Sequence, residues 1–144
     1  VRVGLNARLD TLQAAILLPK LHAFDEENEH RRRAAARYAQ RLAGRFVTPW
    51  VPEGFSSGFG YYTILTKDAQ HREHLQAALK EKGIPTMIYY PCPLHLQKVY
   101  EPLGYKRGDL PVCEHLIDCV LSLPMHGYIT DEEIDQICDA LLEA

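Results

Sequence analysis

The side chains best suited to metal or nucleophilic chemistry in this chain are its seven histidines and four cysteines. Cys92 and His95 stand in a C-x-x-H arrangement, with Cys113 and His115 further along. Structural zinc takes tight ligand pairs from two knuckles. Here Cys92 lies between Pro91 and Pro93, Cys113 falls in a stretch of helical periodicity, and no second tight pair exists, so no metal site is expected. His71 and His74 are three apart beside Arg72 and Glu73, which reads as a solvated helix face. No glycine-rich phosphate loop and no G-x-S-x-G nucleophile elbow occurs.

Two further groups have types suited to recognition. Asn6 and Arg8 sit at the head of the apolar run "GLNARLDTLQAAILLPKL", residues 4–21. An amide is a neutral donor for a crowded phosphate, and a guanidinium is a planar fork for carboxylate or phosphate. A plain structural use stays open for both: Asn is among the best helix N-caps, and Arg8 has Asp10 and Glu26 as ion-pair partners. Tyr89 and Tyr90 adjoin in "TMIYY", where a strand would send one ring to the core and one to the surface. His95 follows in a loop, and a loop histidine is ordinarily solvated.

The elements that must position these residues follow from periodicity. Residues 8–43 read as one long helix, or two joined at Pro19. Its first half is apolar nearly all round, with Leu9, Leu12 and Ile16 on one stripe and Leu17, Leu21 and Phe24 on another. Such a helix needs cover on several sides. Its second half has one inner face, Ala34, Ala35, Tyr38 and Leu42, and Gly44 offers a left-handed stop. Residues 46–51, 60–66 and 86–90 are β-branched and aromatic and read as strands, as does "VLSLP" near 120–124. Asp68 caps a helix that ends at Gly83, residues 94–103 read as short helical turns, and a helix spans about 111–119. Thr130 and Glu133 form a capping box for a last helix carrying Ile134, Ile137, Cys138 and Leu141. The order α-β-β-α-β-α-β-α gives an α+β fold: a long N-terminal helix, then a small, mainly antiparallel sheet covered by helices.

Composition excludes several classes. The 144 residues carry a formal net charge of −3, and the basic run Arg31–Arg33 follows the acidic run Asp25–Glu27, so there is no electrostatic footprint for nucleic acid. No apolar stretch has the length of a membrane span and no signal-peptide pattern appears. Four cysteines without a C-x-x-C pair, in a chain large enough to fold without staples, read as reduced thiols of a cytoplasmic protein.

Four stretches taken together, "GLNARLDTLQAAILLPKL", "GIPTMIYYPCPLHLQ", "LGYKRGDLPVCE" and "LSLPMHGYIT", strongly resemble the C-terminal portion of the DegT/DnrJ/StrS family. These are pyridoxal-phosphate-dependent aminotransferases acting on nucleotide-linked keto sugars. The resemblance runs from Val3 to about Leu142 and is closest to the members that aminate UDP-linked 3-keto sugar acids for lipopolysaccharide, O-antigen and other surface polysaccharides. It implies the small C-terminal domain of a fold-type I enzyme. Residues 1–44 are then a helix packed on a large domain and dimer interface, and residues 45–144 the α+β small domain.

The resemblance also implies a division of labour. The Schiff-base lysine of the family lies upstream of the opening motif, and the six lysines here (Lys20, Lys67, Lys80, Lys82, Lys98 and Lys106) match none of its contexts. With the start at Val1 rather than Met, the expectation is a C-terminal fragment, inactive alone and without covalent pyridoxal phosphate, whose parent takes its amino group from glutamate. In the family the N-x-R pair crosses a homodimer interface, so Asn6 would serve the cofactor phosphate and Arg8 the anionic groups of the substrate. In the family a His-Tyr pair also leans into the neighbouring site to touch the sugar; Tyr90 matches that tyrosine, Tyr89 stands where the histidine is common, and His95 is a further substrate candidate. A sugar dehydratase of the same family, with histidine for the lysine, and a non-catalytic dimerisation or packing module are the alternatives.

Overall fold

The computed structural model describes residues 9–144. Asn6 and Arg8 therefore lie outside the described residues. Helix α1 runs unbroken from Thr11 to Leu42, with Pro19 inside it. Its cap is Asp10, whose Oδ1 accepts the Gln13 N–H at 2.8 Å, so the capping use weighed for Asn6 falls to a residue four positions later. The helix divides by environment. Leu12, Ile16, Leu18 and Leu21 are each at least 60% exposed, whereas Ala34, Ala35, Tyr38 and Leu42 are buried.

That buried face packs on a two-stranded antiparallel sheet, β1 (Tyr62–Leu65) and β2 (Val120–Leu123), in the register Tyr62↔Leu123 to Leu65↔Val120. Alternation sends Tyr62 and Ile64 into the core, where Tyr62 stacks on Tyr38 with ring centres 4.8 Å apart. Tyr38 also donates its hydroxyl to the Pro124 carbonyl at 3.0 Å, which ties α1 to the end of β2. The two other expected strands shrink to single bridges, Val47 to Leu65 and Met87 to Ser122. Proline accounts for both: Pro49 and Pro52 follow Val47, while Pro85 and Pro91 flank Met87, and none offers a ladder N–H.

Helix α2 (Ala69–Glu81) starts at Asp68, which accepts the His71 N–H at 2.8 Å, and α3 (Pro111–Cys119) leads directly into β2. Between them lie two 3-10 turns, Leu94–Leu96 and Lys98–Leu103. Helix α4 (Asp131–Glu143) opens with the expected capping box: the Thr130 N–H reaches Glu133 at 2.9 Å and the Glu133 N–H reaches Thr130 Oγ1 at 3.2 Å. It lies on α1 through a ladder of three arginines and three aspartates. Arg33 meets Asp131, Arg37 meets Asp131 and Asp135, and Arg41 meets Asp135 and Asp139. The four-residue spacing on both helices is what aligns them. Leu75 and Leu79 of α2, with Ile134, Cys138 and Leu141 of α4, complete one core with α1 and the sheet. No helix of the described residues is long and apolar enough to cross a membrane.

Candidate functional site

The Met87–Ser122 bridge, with mutual backbone hydrogen bonds of 3.1 and 2.8 Å, is the last anchor before the chain leaves the sheet through Tyr89 and Tyr90. Pairing stops there, so strand alternation does not govern the two tyrosines. Instead of facing opposite sides, their rings meet edge to face at 5.6 Å. Tyr89 is half-buried and Tyr90 is 64% exposed. A third phenol joins them: the Tyr61 ring lies 4.3 Å from that of Tyr89. Tyr61 precedes β1 by one position, and its outward direction is the counterpart of Tyr62 pointing inward. The Tyr61 phenol is held above the ordinary value of 10.0. The neighbouring Tyr90 phenolate would repel its charge.

Tyr89 and Tyr90 form one end of an apolar groove of ≈ 820 Å³ whose far wall is the start of α3, including Val112, Cys113 and Leu116. His95 is placed differently from the solvated loop residue expected. It is 8% exposed, and its Nε2 donates to Glu114 Oε1 at 3.0 Å. Glu114 also accepts the Gly108 N–H at 2.8 and 2.9 Å and the Leu110 N–H at 3.3 Å. These bonds, Gly108 first and His95 after it, hold the Glu114 carboxyl below its usual range. One carboxylate thus joins the first 3-10 turn, the 108–110 turn and α3. Leu94 and Gln97 beside His95 line the groove, whereas His95 packs edge-on to Tyr105 at 6.2 Å.

Sequence reasoning brought Tyr89, Tyr90 and His95 to one region and missed Tyr61 and Glu114. For Tyr61 the available signal was the doublet with Tyr62 at a strand start. For Glu114 it was a carboxylate just inside a helix that follows a Gly-Asp turn.

The remaining reactive groups are dispersed. All four cysteines are free thiols, with Cys92 and Cys113 exposed and Cys119 and Cys138 buried. Burial pushes the Cys138 thiol up to about 11 and raises that of Cys119, which disfavours the thiolate at both. Among the described residues no group of three or more His, Cys, Asp or Glu is arranged to hold a metal ion. The six lysines are exposed, and none is among the residues lining the groove. A lysine that carries an imine cofactor works desolvated, in a pocket. The described residues therefore do not by themselves fit pyridoxal phosphate.

Comparison with known proteins gives this geometry its context. The family model for the DegT/DnrJ/EryC1/StrS aminotransferase family matches residues 1–142. A UDP-2-acetamido-2-deoxy-3-oxo-D-glucuronate aminotransferase of Pseudomonas aeruginosa is 42% identical, over 98% of this chain and 38% of its own length. A pleiotropic regulatory protein of Geobacillus stearothermophilus is 43% identical over the same shares. Among solved structures, a DegT DnrJ EryC1 StrS aminotransferase from Brucella abortus is 42% identical and superposes with a TM-score of 0.86, covering 99% of this chain and 38% of that one. DesV of S. venezuelae, solved with a ketimine intermediate, gives a TM-score of 0.88 at 32% identity, covering 97% of this chain and 38% of that one. The chain thus spans 38% of the length of these relatives. The α+β arrangement of a long helix, a small antiparallel sheet and covering helices is that of the C-terminal domain of fold-type I pyridoxal-phosphate enzymes. The chain belongs to the DegT/DnrJ/EryC1/StrS aminotransferase family.

Proposed function

We propose that this chain is the C-terminal portion of a pyridoxal-phosphate-dependent aminotransferase that converts a keto carbon of a nucleotide-linked sugar to an amine. The substrate class is a UDP-linked 3-keto sugar acid, glutamate is the donor and leaves as 2-oxoglutarate, and the product feeds bacterial surface polysaccharide in the cytoplasm. The observation that carries this reading is the 42% identity, across 98% of the chain, to an enzyme named for a UDP-linked 3-oxo-glucuronate.

In this reading the cofactor and its lysine belong to the larger remainder of the enzyme, and this chain alone is inactive. The apolar first half of α1 packs on that remainder and on the dimer interface, while residues 45–144 form the small domain. Asn6 donates to the cofactor phosphate and Arg8 pairs with an anionic group of the substrate, both across the dimer. Tyr89 and Tyr90 likewise lean into the partner subunit's site and offer phenols to the sugar hydroxyls. His95 acts from behind: its bond to Glu114 keeps the turn that carries Leu94 and Gln97 against the groove.

The test is direct. The intact enzyme is given glutamate and a UDP-linked 3-keto sugar acid, and the amino sugar and 2-oxoglutarate are quantified by mass spectrometry. Stoichiometric appearance of both is expected from the intact enzyme, and neither from the 144-residue chain. Loss of water from the sugar, without amine formation, would contradict the reading.

A further inference from the structure

Tyr61 lies outside all four family-like motifs, yet the fold carries it to the same place as Tyr89 and Tyr90. The strand beside it is rigidly set. Tyr62 is 1% exposed and stacks on Tyr38, and Thr63 bonds across to Ser122 with the two hydroxyls 2.7 Å apart. With Tyr62 fixed inward, Tyr61 is directed outward. Its ring then meets Tyr89 at 4.3 Å, closer than the usual aromatic spacing of about 4.5–7 Å. The Tyr61 and Tyr90 rings nevertheless stay 54% and 64% exposed, so both keep a free face.

We propose that Tyr61 is a positioning residue of the sugar site, setting the ring of Tyr89 and, through that ring, Tyr90, so that the three tyrosines bind the hydroxyl-bearing face of the substrate's sugar ring. The proposal rests on the functional reading above and adds to it a residue that no motif marks. The chemistry of the trio fits this class of ligand. Three phenols supply aromatic faces for C–H groups and hydroxyls that both donate and accept, which suits a polyol ring rather than a phosphate. Phenols are protonated, and so donors, at neutral pH.

The experiment separates the two halves of the reaction in the intact enzyme. Tyr61→Phe removes one hydroxyl and keeps the ring; Tyr61→Leu removes the ring contact as well. In Tyr61→Phe the KM for the nucleotide-linked keto sugar should rise about two- to tenfold, the worth of one neutral hydrogen bond. In Tyr61→Leu it should rise further, while kcat at saturating sugar, the glutamate half-reaction and cofactor content stay as in wild type. A second readout uses the 144-residue chain: Tyr90→Phe should bring the titration of Tyr61, followed by NMR, down toward that of a free phenol. A sugar KM unchanged in both Tyr61 variants would overturn the proposal. So would an equal loss in the glutamate half-reaction, which a purely structural role would produce, or a Tyr61 titration indifferent to Tyr90. If wild type itself aminates no nucleotide-linked sugar, the functional reading falls and takes the ligand class with it. If wild type is active and the Tyr61 variants match it, Tyr61 alone is refuted.

Discussion

At the scale of the residue, the Glu114 carboxylate organises the most structure. Its partners are two backbone amides of the 108–110 turn and a buried imidazole of the first 3-10 turn, so with α3 it ties three segments together. Its folded pKa lies below the ordinary value of 4.5, so the sign of the linkage is fixed. The stabilisation is fully present above the unfolded pKa and is lost as pH falls through the folded one. Glu114→Gln should therefore be less stable than wild type at neutral pH, with the gap closing as pH drops below about 4.5, the range where an ordinary carboxyl takes up its proton. Urea midpoints measured from pH 7 to pH 3 check this, and a pH-independent gap would contradict it. This node was the least legible part of the sequence. His95 reads as solvated when only its neighbours in the chain are considered, because its partner lies 19 residues away and meets it only after α3 has docked. Tyr89 and Tyr90 were legible as a pair, but their geometry was not, since that depends on pairing that ends at Met87.

At the scale of the element, helices were read well and strands poorly, for a physical reason. Helix signals are local: Asp68 and the Thr130–Glu133 box cap their own helices within three residues. Strand length is set by partners, and the proline-rich stretches around Val47 and Met87 have too few donors to extend beyond one bridge. What holds the last helix in place is likewise a tertiary match, the Arg33–Arg37–Arg41 row against Asp131, Asp135 and Asp139. Arg37 is its centre, with two bonds to Asp135 of 2.9 and 2.5 Å that hold the Asp135 carboxyl below its usual range. Arg37→Ala should lower the urea midpoint more than Arg32→Ala, because among the described residues Arg32 pairs with Glu29 on its own helix and with no carboxylate of α4. The difference should shrink at about 1 M salt, where the screening length is about 3 Å. Equal effects of the two substitutions, or a difference insensitive to salt, would count against the ladder.

At the scale of the whole molecule, the outstanding feature is the uncovered first half of α1. Leu9, Leu12, Ile16, Leu17, Leu18, Leu21 and Phe24 are each more than half exposed, a contiguous apolar surface of a kind that marks an interface. The 144-residue chain should self-associate or bind an apolar dye. Ile16→Glu with Leu18→Glu should suppress both without lowering the thermal midpoint, since neither side chain belongs to the core. A monomeric, dye-silent wild-type chain in light scattering and fluorescence would contradict this. The same incompleteness extends to the chemistry. Among the described residues there are phenols and a groove but no enclosed lysine, and under the proposed function these residues act only when another part of the enzyme brings the cofactor. The most direct test is complementation in a hybrid dimer. A subunit with Tyr90→Ala is mixed with one lacking the Schiff-base lysine, and amino-sugar formation is measured across the titration. Activity above that of either variant alone is expected, because each hybrid contains one site with an intact lysine from one subunit and an intact tyrosine from the other. Activity that never exceeds that of the two variants alone, at any ratio, would show that Tyr90 does not complete a site across the dimer.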